Sequence, residues 1–312
     1  MENRCYIIYI KEGNTSKKGE INMKKGLWTK ITAVALSLVV FTMAGCSKEE
    51  PEKEPEIQEP ERVEVLHPLQ SSYYGESECV YDVDSWEEAM ESLDIKDAEI
   101  ACKTTDGKGY VLVEKDENPD FDLVNVYIAY EAENSVYIEK VAEGATLEKS
   151  ELCEVDGNTE TEELAIHIGY VSSSGACDTQ IWNFEYEMPH FLFSSMNDFG
   201  YASVLNDGYE IVFDNAYTNY QARIEYKDND ETLDLFNEQG EPKNLDGAEI
   251  DPTFKTTIED IDDDGDCEIV CEQIAWIGYH ANSICSVKTT VDYNEDLMAF
   301  VIEDSEVTKI TK

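Results

Sequence analysis

The chain has 312 residues, 69 of them acidic and 23 basic, which gives a formal net charge of −46. Such a surface repels phosphate backbones and anionic lipid and attracts cations or basic partners, so nucleic acid is excluded as a partner. Only four histidines are present, at 67, 167, 190 and 280, and none falls in an HExxH or other zinc-type spacing.

At the N-terminus, Lys24, Lys25 and Lys30 precede the apolar run ITAVALSLVVFTM over residues 31–43, and Ala44, Gly45 and Cys46 follow. A basic end, a short apolar middle and small residues at a cut site make a signal-peptide layout. Thirteen apolar residues fall short of the about 20 that a spanning helix needs. The sequence Met-Ala-Gly-Cys is similar to the lipobox of bacterial lipoproteins. That resemblance implies cleavage before Cys46, a diacylglyceryl thioether on its sulfur, and a protein held by lipid on the extracytoplasmic face of the cell membrane. Residues 23–45 are then the signal peptide. Residues 1–22 are an upstream extension, with Met23 the expected start of translation.

Past Cys46 the chain reads SKEEPEKEPEIQEPER, with Pro51, Pro55 and Pro60 spaced among charges. Nothing in residues 46–62 can be buried, so a disordered or extended acidic stalk is expected, roughly 50 Å long if polyproline-like. The exported chain carries 66 acidic and 16 basic residues, a net charge of −50. Residues 63–312 are long enough for one large or two small domains with a sizeable core. Seven cysteines lie in that part, at 79, 102, 153, 177, 267, 271 and 285. The odd number leaves at least one thiol unpaired in the monomer.

The expected fold class is mainly β, with antiparallel, propeller-blade-like sheets and one or two short helices. Ser85 followed by Glu88 is a capping box for a short helix through Ser92. Strand residues flank Asp106-Gly107, Glu133-Asn134 and Asn206-Asp207-Gly208, each a hairpin signal. NYQARIEY, CEIVCEQIAWIGYH, SICSVKTTVDY and LMAFVIEDSEV read as further strands, and no internal repeat of fixed period is evident.

The stretch with the most chemistry is DIDDDGDCE, residues 260–268. Asp260, Asp262 and Asp264 stand at loop positions one, three and five. Gly265 at six permits a sharp turn, the Asp266 carbonyl is available at seven, and Glu268 supplies an acid at nine. Hard oxygen donors so spaced suit Ca²⁺, which takes six to eight ligands at about 2.3–2.6 Å. An EF-hand would need a bidentate Glu at twelve, where Cys271 stands, and a strand rather than a helix follows. A degenerate copy lies upstream, where Glu154, Asp156, Asn158 and Glu162 occupy positions one, three, five and nine before the strand at residues 163–168. The alternative for both is an acidic β-turn without metal.

The spacing DxDxDGxxE entering a strand resembles the calcium loops of the FG-GAP or VCBS-like repeats of integrin α-chain propellers. The order is similar to that of exported Firmicutes proteins carrying such segments. The resemblance covers about residues 150–310 and implies structural Ca²⁺. Thr159 replaces the turn glycine of the first loop, and Asp198-Phe199-Gly200 lacks a downstream Gly-Ala-Pro.

Signals for catalysis are few. Ser172-Ser173-Ser174-Gly175 is not a nucleophile elbow. Cys271 or Cys285 beside His280 would make a thiol pair, although strand cysteines commonly serve packing. Residues 276–280, WIGYH, would line a ligand patch or belong to the core. Three functions stay open. The first is a calcium-stabilised binding or adhesion module for an envelope or extracellular ligand. The others are an envelope hydrolase and a structural accessory of a membrane complex.

Overall fold

The structure is a computed structural model that describes residues 66–69, 77–81, 83, 85–115, 122–158, 161–172, 175–184, 188–226, 235–243, 247–278 and 280–310. The segments expected to be signal peptide (residues 23–45) and stalk (residues 46–62), Cys46 included, lie outside the described residues. No helix among these is long and apolar enough to cross a membrane.

The described residues are mainly antiparallel β, as the alternating pattern predicts, with one short helix. The strands are β1 (Ser77–Tyr81), β2 (Glu99–Lys103), β3 (Gly109–Lys115), β4 (Val124–Ala132), β5 (Ser135–Cys153), β6 (Glu163–Gly169), β7 (Cys177–Asn183) and β8 (His190–Ser194). They continue with β9 (Tyr201–Asn206), β10 (Glu210–Asn215), β11 (Gln221–Glu225), β12 (Glu249–Ile250), β13 (Lys255–Glu259), β14 (Glu268–Trp276), β15 (Ser283–Asn294) and β16 (Ala299–Lys309). The helix α1 (Trp86–Ser92) starts where the capping box places it, with Ser85 Oγ accepting the Glu88 N–H at 3.3 Å. An eight-stranded sheet runs β2 to β8 in order with β1 beside β5, β9 to β11 form a second sheet, and β12 to β16 a third. The sheets thus differ in strand number; β13–β14–β15–β16 forms a four-stranded meander of blade size, and so does the end of β5 with β6, β7 and β8.

The 19-residue β5 makes the first sheet turn back on itself. Its start pairs with β4 and its end, residues 146–153, with β6. Between them Gly144 takes φ +58°, a left-handed value natural to glycine, and the register with β4 shifts. The two halves therefore pack face to face. Val111, Val126 and Ile128 meet Leu164, Ile166, Ile168 and Trp182. Ala89 and Met90 of α1 cover the other face of the first half. The other face of the second half, with Ala165, Ile181 and Phe193, packs on Ile269, Cys271, Val291, Phe300 and Ile302 of the third sheet. Farther along that sheet Ala275, Val287 and Val307 meet Leu205, Ile211 and Phe213 of the second. Ile269, Cys271 and Ala275 share one face of β14 by the period of two, so one strand face closes both cores.

Strands β6 and β7 are buried at every position because they have packing on both faces. Two polar residues of β7, Asp178 and Gln180, survive there by bonding within the strand and to β8. Asp178 accepts from Gln180 at 2.8 Å and from Ser194 at 2.6 Å, and Gln180 accepts from the Trp182 indole at 3.1 Å. Burial raises the Asp178 carboxyl, while those donors pull it back.

Candidate metal centre

Both acidic segments are hairpin loops. Residues 154–162 join β5 to β6 beyond the pair Cys153–Glu163, and residues 260–267 join β13 to β14 beyond the pair Glu259–Glu268. The packing of the eight-stranded sheet on the third sheet sets the loops side by side. The Cys267 N–H donates to the Glu154 carbonyl at 2.8 Å. A Cβ on Gly157 would stand 3.2 Å from Glu295 Oε1 and 3.8 Å from Asp266 Oδ2, so acids from the second loop and the β15–β16 turn lean on the first.

The two loops are built alike. At position three, Asp156 Oδ1 accepts the Asn158 N–H at 3.0 Å, and Asp262 Oδ1 accepts the Asp264 N–H at 3.2 Å. Such Asx turns are the usual way that short acidic side chains hold a tight bend. Position four is left-handed in both, with φ +72° at Gly157 and +63° at Asp263. Gly265 lies at φ +110°, which only glycine occupies without strain. Each loop then ends on a buried glutamate that opens the outgoing strand and turns back. Glu268 Oε2 accepts the Ile261 N–H at 2.7 Å, and Glu163 Oε2 accepts the Val155 N–H at 3.3 Å. The correspondence follows the degenerate copy seen in the sequence, with the closing acid one position later because the first loop is one residue longer.

In the second loop Asp260, Asp262 and Asp264 each offer an oxygen, and the three lie within 4.8 Å of one another. The Asp266 N–H donates to Asp264 Oδ1 at 3.3 Å, and the neighbouring Asp264 carboxyl together with burial pushes the Asp266 carboxyl up to about 7. The Asp264 carboxyl is lowered as the accepting partner. In the first loop the structure brings together Glu154, Asp156 and Glu163, again within 4.8 Å. Burial and then the Asp156 charge push Glu163 up to about 8, and the same two causes raise Glu154. Asn158 is tied through its backbone to Asp156. Glu162, the acid at position nine, lies elsewhere, accepting from the backbone and hydroxyl of Thr105 at 2.8 and 2.6 Å.

Counting from the first acid of the loop therefore picks Glu162 where the fold uses Glu163. Aligning both loops on the start of the outgoing strand would have found it. Two more acids join from behind. Asp292 on β15 and Glu303 on β16 are raised by burial and then by surrounding carboxylates, Glu268 and Asp262 among them. The bulge between Thr290 and Val291 leaves Glu303 without a partner in the β15–β16 register, and nothing local in the sequence marks either residue. Among the described residues no lysine or arginine pairs with any of these carboxylates. Like charges crowd together without a counterion, an arrangement that a divalent cation relieves.

The thiol pair weighed from the sequence meets a different setting. Cys271 and Cys285 are fully buried, and burial pushes both thiols up to about 12. His280 Nδ1 instead bonds the Asp251 carboxylate at 2.9 Å, which also accepts the Trp276 indole N–H at 2.8 Å. Tyr279 lies outside the described residues. No protein-family model, no curated protein and no solved structure matches the chain.

Proposed function

We propose that this protein is a lipid-anchored module on the extracytoplasmic face of the cell membrane, stabilised by calcium at residues 260–268 and engaged in binding an envelope or extracellular ligand. The observation that carries the metal part is the convergence of Asp260, Asp262 and Asp264 within 4.8 Å with no basic partner. Gly265 and the buried Glu268 shape the loop around them, and the Asp266 carbonyl is available at position seven. The lipid anchor rests on the sequence ending in Cys46. Acidic excess and an extended stalk fit a domain held clear of an anionic surface. For ligand contact, a hollow of about 450 Å³ lies next to the first loop, lined by Thr104, Tyr130, Glu162 and Phe184 among others.

The test is thermal unfolding of the exported chain with calcium, magnesium or chelator. A cation that binds the folded state alone at a hundredfold excess over its Kd stabilises by about 2.7 kcal/mol. Calcium at millimolar level is expected to raise the melting temperature more than magnesium does, since magnesium demands stricter octahedral geometry. A melting temperature indifferent to calcium would leave residues 260–268 an acidic turn. For the hydrolase alternative the one supporting observation is the Asp251–His280 pair. Among the described residues no hydroxyl or thiol bonds the second ring nitrogen of His280.

A further inference from the structure

We infer that Glu154, Asp156 and Glu163 form a second divalent-cation site, suited to calcium and separate from residues 260–268. The resemblance to propeller calcium loops does not supply it. This loop has Thr159 where that pattern has glycine, and its operative acid stands at position ten.

The inference rests on Glu163. Its side chain is fully buried. One carboxylate oxygen takes the Val155 N–H, and the other, Oε1, is buried with no hydrogen-bond partner. Glu154 Oε1 is buried and unpartnered as well. Both residues offer an oxygen to the same small volume, along with Asp156. Folding does not normally bury unpartnered carboxyl oxygens of neighbouring acids against one another unless something positive meets them. Among the described residues no side chain does so, and a cation bound by all three would satisfy them together.

The donor set also selects the ion. Three carboxylates and the carbonyls of a short loop are hard oxygen ligands, which suit calcium or magnesium rather than zinc. Of the two nearby sulfurs, the Cys267 thiol is raised by burial, and Cys153 is engaged elsewhere. Its thiol donates to the Glu163 carbonyl at 3.7 Å, and burial raises its pKa, so it stays protonated. Calcium accepts more ligands in less regular geometry than the smaller magnesium, so an all-oxygen loop set of this kind favours calcium.

The inference stands apart from the reading of residues 260–268, and one titration separates them. The full exported chain, freed of metal by chelation, is titrated calorimetrically with CaCl₂. Wild type is expected to take two calcium ions per chain. Glu163→Gln should lose one and keep the other, and Asp264→Asn should lose the complementary one. In chelator Glu163→Gln should melt at or above the wild-type temperature, because an amide replaces a carboxyl that has an unmet acceptor beside two other acids. A Glu163→Gln protein that binds as many ions as wild type overturns the inference, as does a wild type whose sole ion is lost in Asp264→Asn. If Glu163→Gln does not fold, Asp156→Asn, at a half-buried loop position, reads the same site by the same loss of one ion.

Discussion

In the metal-free protein the first loop should make stability fall as pH rises. Glu163 has a carboxyl pushed up to about 8, while in the unfolded chain it returns to the ordinary value near 4.5. Below pH 4.5 it is protonated in both states and costs nothing. Between about 5 and 8 the unfolded chain has released the proton and the folded one retains it. Stability should then drop by about 1.4 kcal/mol per pH unit from this group alone. The whole window amounts to several kcal/mol, a large part of a typical domain's stability. Urea unfolding in chelator at pH 5, 6.5 and 8 measures it. The slope of wild-type stability against pH should exceed that of Glu163→Gln by close to one proton, and calcium at pH 8 should restore much of the loss. Equal slopes in the two proteins would refute the assignment, because the titrating groups would then lie elsewhere.

Asp262→Ala and Asp264→Ala should each remove the share of the calcium-induced rise in melting temperature that residues 260–268 contribute and leave that of the first loop, while Glu162→Ala, whose carboxylate faces Thr105, should leave the whole rise unchanged. Gly265→Ala should lower stability by about 1 kcal/mol or more, read in chelator by urea unfolding, since its φ of +110° strains any Cβ. Ile166→Ala, at a fully buried position between two sheet halves, should cost about 2–5 kcal/mol in the same assay. Cys46→Ala should abolish lipid labelling and membrane partitioning in cells, with the calcium response of the domain intact.

Much of the fold is legible where local rules decide it. The turns at Asp106-Gly107, Glu133-Asn134 and Asn206-Asp207-Gly208 join β2 to β3, β4 to β5 and β9 to β10, and Ser85 caps α1 as its spacing with Glu88 predicts. Strands β11, β14, β15 and β16 fall on the runs that alternate. Strand β7 escaped notice because CDTQIWN has no alternation. Its Asp178, Thr179, Gln180 and Asn183 are buried, and the bonds of Asp178 and Gln180 show that partners rather than side-chain polarity decide it. The full length of β5 was hidden too, since residues 146–153 are strand by virtue of β6, not of composition. At the acidic loops the spacing found Asp260, Asp262, Asp264, Glu154 and Asp156. It missed Glu163 because a single inserted residue shifts the count, and it missed Asp292 and Glu303 because only the β15–β16 register carries them to the cluster.

The central claim is that these loops hold calcium through their carboxylates. It is tested most directly by crystals of the exported chain grown in calcium, with anomalous diffraction to locate the ion. The account predicts an ion about 2.3–2.6 Å from oxygens of Asp260, Asp262 and Asp264. A loop at saturating calcium that contains no ion would contradict it.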